Sequence, residues 1–116
     1  MPNLARGDVV LVRFPNADLV TYRRRPALVI QANDLRSEYD DWIVAMITSR
    51  PRRRGATTVH VSAGSESGQR MGLPIDSLII LHRIATIPDI AVERKLGECP
   101  LMDDIDAALR RVFDLL

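Results

Sequence analysis

Cysteine, lysine and aromatic side chains are all scarce in this chain of 116 residues, and each scarcity excludes something. A single cysteine, Cys99, rules out an intrachain disulfide framework and a cysteine-rich zinc site. It reads as a small packing residue in a reducing compartment. The aromatic residues are Phe14, Tyr22, Tyr39, Trp42 and Phe113, too few for a sheet-wide platform of rings on which bases stack. No apolar run approaches the ~20 residues that span a bilayer, so a membrane is not among the expected partners. The stretch Met1 to Asp8 lacks a basic segment followed by an apolar one, reads as no signal peptide, and points to the cytoplasm.

What is present is an ordinary globular balance, 47% hydrophobic and 27% charged, which excludes a wholly disordered chain. The length suits one domain over residues 1–116, large enough to bury a core without disulfides. A net charge of +1 hides a polarity: residues 1–60 hold ten arginines against six acids, and the remainder carries a net −3. Apart from Lys95 every basic residue is arginine, whose planar fork suits phosphate oxygens.

The first half reads as strands with punctuation. Asp8–Phe14 and Pro26–Ala32 are apolar and β-branched, and Trp42–Thr48 is so continuously apolar that a central position is expected. Thr57–Ser62 alternates with period two, Ser77–Ile84 is a fifth strand, and Glu93–Gly97 a short sixth. The Gly- and Ser-rich segment Ala63–Gly72 reads as a flexible loop. Only at the end does helical spacing emerge: Ile105, Ala108, Leu109, Val112, Phe113 and Leu116 share one face, with Asp103, Asp104 and Asp106 at the positive end of the helix dipole. Short strands followed by one helix predict a mainly β fold, a small, strongly bent sheet or barrel with the helix packed on it.

The second and third strands fold as an antiparallel hairpin about Ser37, pairing Ala32 with Trp42 and Arg25 with Ser49. That places Arg25 and Thr48 at the same end of the sheet, flanked by Arg23 and Arg24 on one side and Arg50, Arg52, Arg53 and Arg54 on the other. Seven arginines at one end of a small domain make a phosphate-binding surface. Against it stands the bland reading of solvated loop charge.

Three stretches, Gly7–Val12, Arg25–Ile30 and Ile43–Ser49, together with Ser77–Leu81, Ile84–Ile87, Lys95-Leu96-Gly97 and the closing helix, resemble the MazF/PemK family of toxins, in the family's order over essentially the whole chain. The resemblance implies an SH3-like β-barrel with a C-terminal helix, a homodimer, and a cognate antitoxin that silences it. It implies an endoribonuclease that cuts single-stranded RNA, chiefly mRNA, without a metal or cofactor. The family's catalytic arginine and threonine correspond to Arg25 and Thr48; Arg23, Arg24, Ser49, Arg50 and Arg52–Arg54 are the expected RNA contacts.

The chemistry fits those two residue types. Attack of a 2′-hydroxyl on phosphorus builds charge on the phosphoryl oxygens, which an always-charged bidentate donor such as Arg25 stabilises. The hydroxyl of Thr48 donates to a phosphoryl oxygen and orients it. Arginine is a poor proton acceptor at neutral pH, and the segment before it offers Asp18 as the candidate acid or base. A His60–His82 acid–base pair is a competing constellation, although the alternation around His60 turns it to solvent. The same barrel also occurs in the gyrase-poisoning CcdB family, so a non-catalytic toxin or binding module stands as the alternative; the Arg25/Thr48 pair is what an enzyme needs and a gyrase poison does not.

Overall fold

The computed structural model describes residues 3–35, 40–50 and 53–116, so that Ser37, Tyr39 and Arg52 fall outside the described residues. The strands β1 (Asp8–Pro15), β2 (Tyr22–Val29), β3 (Asp41–Thr48), β4 (Thr58–Val61), β5 (Ser77–Pro88) and β6 (Val92–Glu98) form one sheet, in the order β4-β5-β3-β2-β1-β6. All neighbours pair antiparallel. Helix α1 (Glu66–Arg70) lies between β4 and β5, and helix α2 (Met102–Phe113) closes the fold. The apolar β3 is internal, as its composition demands.

Both faces of the sheet are buried, by different means. One face packs Val9, Leu28, Ile47 and Leu81 against Ile105 and Ala108 of α2 and against Met71 beyond α1. On the other, Val12, Val29, Met46 and Ile80 bury one another, together with Leu4 and Ala91. Strand side chains cover each other only if the sheet curls onto itself, and β1 indeed touches β5 although two strands lie between them. The curl is barrel-like but not closed, with β4 and β6 as its edges.

The structure revises several expected boundaries. Strand β2 starts at Tyr22 rather than Pro26, so Arg23–Arg25 belong to the strand and not to a loop. Pro26 sits opposite Leu11 of β1. On its other side the ladder to β3 runs only from Val29 to Ala27, so the missing N–H falls where pairing has already ended. The β2–β3 register pairs Ala27 with Met46 and Val29 with Val44, one residue away from the expected hairpin. Gln31 accounts for the slip: its side chain accepts from the Ile43 N–H at 3.1 Å and donates to the Leu35 carbonyl at 2.9 Å, standing in for backbone at the mouth of the connection.

The supposed flexible loop contains α1, capped by Ser65, whose hydroxyl accepts from the Gly68 N–H at 3.1 Å. This segment lies flat on β6. A Cβ on Gly97 would stand 2.2 Å from the Arg70 carbonyl oxygen, which requires glycine there. In α2, Asp103 and Asp104 occupy the first turn, whereas Asp106 lies further along and pairs with Arg6 at 2.7 Å. Phe113 is exposed rather than part of the buried face; Asp114 ends the helix in the left-handed conformation, φ 55°, and takes Leu116 out of the helical period.

Candidate active site

The inner face of the curl turns polar at one end. The row Val10, Ala27, Met46, Ile80 and Thr58 runs across β1, β2, β3, β5 and β4. Two residues along each strand, the same face carries Val12, Arg25, Thr48, Leu78 and His60. Carried on two residues, the β2–β3 register sets Arg25 opposite Thr48, where the ladder has ended and the strands part. A cleft of about 250 Å³ occupies that gap, with Arg23, Arg25, Thr48, Ser49 and Arg50 on its walls.

The segment after α1 closes the cleft from the side. Leu73, Pro74 and Ile75 supply an apolar wall, and Ser77 Oγ donates to the Ile75 carbonyl at 2.8 Å, holding the wall as a turn. Thr48 is buried at the cleft floor, and its Oγ1 accepts from the Arg50 N–H at 3.2 Å. An accepting hydroxyl keeps its proton to donate. Among the described residues no carboxylate lines the cleft. Arginine side chains gathered against apolar walls favour an anion.

The expected residues divide. Arg23, Arg25, Thr48, Ser49 and Arg50 come together. Arg54 lines an adjoining recess, Arg53 is exposed and lines neither, and Arg52 lies outside the described residues. Arg24 reaches the wall of the cleft, and its guanidinium turns to the opposite face and holds Glu93 of β6 at 2.8 Å. The reason is the period of two, which separates Arg24 from Arg23 and Arg25.

Asp18 is not among the residues that line the cleft. It sits in the β1–β2 turn and accepts from the Thr21 and Val20 N–H groups at 2.9 Å and from the Thr21 hydroxyl at 2.7 Å. These bonds, that from Thr21 foremost, hold its carboxyl below the usual carboxylate range, the opposite of what a base requires. Arg25 lies three residues down β2 from Tyr22, about 10 Å, with the turn beyond that again. The two histidines do not pair: His60 lies opposite Leu78, whereas His82 Nδ1 is 2.8 Å from Thr57 Oγ1. Cys99 is buried, and loss of solvation raises its thiol pKa, in keeping with a packing role.

Sequence reasoning missed the second recess, about 260 Å³, which shares Thr48, Ser49, Arg50 and Ser77 with the cleft and adds Arg54, His60 and Asp76. Alternation did place Thr58 and His60 on one face, but which face lay beside Thr48 depends on the pairing of β4 with β5 and of β5 with β3. Among the described residues no three His, Cys, Asp or Glu side chains converge to hold a metal ion.

A curled antiparallel sheet with a terminal helix, opening at one end on an arginine-lined cleft, defines a small, mainly β domain with its candidate site at one end of the sheet. The model of the PemK-like, MazF-like toxins of type II toxin–antitoxin systems matches residues 5–113, and the chain belongs to that family. It is 30% identical over 95 residues to endoribonuclease MazF6 of Mycobacterium tuberculosis, covering 80% of this chain and 81% of that protein. Endoribonuclease MazF2 of Mycobacterium bovis matches to the same extent. A solved mycobacterial endoribonuclease in complex with its cognate antitoxin superposes with a TM-score of 0.75 at 22% identity, covering 97% of each chain. MazF from Deinococcus radiodurans gives 0.69 at 18%, again over 97% of each; at these identities the likeness is one of fold.

Proposed function

We propose that this chain is the toxin of a type II toxin–antitoxin pair and acts as an endoribonuclease on single-stranded RNA, chiefly mRNA, without a metal or other cofactor. The observation that carries the reading is the meeting of Arg25 and Thr48 in one cleft, in a chain of the MazF-like family. The scissile phosphate binds between them. Arg25 neutralises the charge that develops on the phosphoryl oxygens, and the Thr48 hydroxyl donates to one of them, fixing phosphorus for in-line attack by the 2′-oxygen. As the 2′-oxygen bonds to phosphorus the bond from phosphorus to the 5′-oxygen breaks; the 2′-hydroxyl proton passes to solvent water and the leaving 5′-oxygen takes one from it, giving a 2′,3′-cyclic phosphate and a 5′-hydroxyl end. Arg23 and Arg50 hold the flanking backbone. A single strand is preferred because the 2′-oxygen, phosphorus and 5′-oxygen must align, which an A-form duplex resists.

Residues 1–116 act as one toxin domain, working in the cytoplasm as a homodimer silenced by a small antitoxin. The side chains of Leu19, Val20, Tyr22 and Ile90 are exposed, and such apolar surface supports association. Among the described residues no helix is long and apolar enough to cross a membrane.

The test is incubation of the purified protein with a long, weakly structured RNA in EDTA, with Arg25→Ala alongside and fragment ends mapped. Discrete fragments with 5′-hydroxyl ends, absent from the variant, are the expected result. Intact RNA from folded protein rejects the reading in favour of a binding role.

A further inference from the structure

The recess beside the cleft has a chemistry of its own. Leu78 is paired with Thr48 on one side and His60 on the other, so His60 shares the face of Thr48 two strands away, a Cα separation of about 10 Å. Thr48, Ser49, Arg50 and Ser77 form the wall common to both cavities, making them one continuous groove. Arg50 and Arg54 give this stretch the charge to follow a phosphate backbone.

Two groups in it are suited instead to the edge of a base. His60 is half-buried and, among the described residues, its imidazole makes no hydrogen bond. Asp76 is oriented by one carboxylate oxygen, which accepts from the Ala63 N–H at 2.8 Å, and its second oxygen has no such bond among the described residues. Neither forms an ion pair there, although two arginines line the same recess. An ionised carboxylate only accepts, so it rewards a base edge that donates and repels one that presents an oxygen.

We infer that this recess seats the base of the nucleotide next to the scissile phosphate, and that Asp76 and His60 select a base with an exocyclic amino group. Cytosine and adenine satisfy the carboxylate with the amino group on C4 or C6; uracil and guanine place a carbonyl oxygen there. His60 meets the same base with a ring nitrogen and confines it to the recess. The inference rests on the RNA-cleaving reading of the cleft and adds the determinant of its sequence preference.

The experiment is cleavage of a single-stranded RNA pool randomised around the cut, with every product end sequenced, for the wild type, Asp76→Asn, His60→Gln and Arg25→Ala. In the wild type uracil is depleted about tenfold at one position flanking the scissile bond, the discrimination typical of one good base contact. Asp76→Asn keeps the acceptor that holds Ala63 and adds a donor, so uracil returns at that position. His60→Gln weakens the preference at the same position and raises KM more than it lowers kcat; thermal melts confirm that both variants fold. Preferences that survive both substitutions unchanged overturn the inference while leaving the cleavage reading intact. RNA left uncut by the folded wild type overturns both.

Discussion

Arginine serves two different ends in two regions of this molecule. On the helix side Arg6 is a staple: it donates to Asp106 at 2.7 Å and to the Ile30 carbonyl at 3.0 Å, tying α2 to the β2–β3 hairpin. Arg24 does similar work across to Glu93 of β6. At the opposite end of β2, Arg23 and Arg25 line a cleft with no carboxylate on its walls among the described residues. The lesson is that local composition does not separate the two uses. Arg23, Arg24 and Arg25 are consecutive, and the pleat alone sends the middle one to a structural partner. An arginine with a carboxylate across the sheet ties strands together; one on the wall of a gap between parting strands faces a space that a ligand can enter.

The strongest way to break this contrast is to remove a cleft arginine and look for lost stability. Arg25→Ala is expected to lower the cleavage rate by roughly 10²–10³ with a melting temperature within a degree or two of the wild type. Thr48→Val, which keeps the branched shape at a buried position, should act in the same direction with less effect. Cleavage rates beside thermal melts check both, and a variant that unfolds while its remaining folded fraction cleaves normally would erase the distinction.

The complementary substitution attacks the helix side. Ile105 is fully buried on the sheet-facing side of α2, and Ile105→Ala should destabilise by about 2–4 kcal/mol with cleavage per folded molecule preserved. Urea titration reads this. Arg6→Ala, which loses a charge-assisted bond in a part-buried setting, should destabilise by about 1–2 kcal/mol and likewise leave cleavage intact.

Adjacent arginines sharpen the comparison further. Arg23→Ala should weaken RNA binding several-fold and flatten its salt dependence, whereas Arg24→Ala, exposed and paired with Glu93, should alter neither by a measurable amount. Binding to a non-cleavable 2′-deoxy oligonucleotide at two salt concentrations distinguishes them.

The smallest effect belongs to Asp18, whose carboxyl is held below its ordinary value by the N–H of Thr21 and then of Val20. A carboxylate with a depressed folded pKa stabilises above its unfolded value, and that contribution disappears as the pH falls through the folded one. Asp18→Ala should therefore be slightly less stable than the wild type at neutral pH, with the difference vanishing well below pH 3.8, and cleavage unchanged throughout. Loss of cleavage in this variant would return Asp18 to the chemistry.

Much of the architecture was legible in residue order. The β-branched run of β1, the apolar continuity of β3 and the 3.6-residue spacing around Ile105 and Ala108 are local signals, and the structure places them as a strand, an inner strand and a packed helix face. The family order of motifs likewise brought Arg25 and Thr48 together on paper. Less legible were the features that depend on one side chain substituting for backbone. Gln31 shifted the hairpin by one residue, and Ser65 capped a short helix inside a glycine-rich stretch; neither has a periodicity to betray it.

The sequence by itself determined which residues are apolar, at what period, and hence that six short strands and one helix must share a core. Charge and residue type also reserved the Arg25 and Thr48 ends of their strands for something other than packing. Only the tertiary structure decided which face each arginine takes, where β2 and β3 part to open the cleft, and that His60 and Asp76 stand beside Thr48. The physical reason is register. Pairing between distant strands is set by the sum of many contacts across a curled sheet, and a slip of one residue reverses every face.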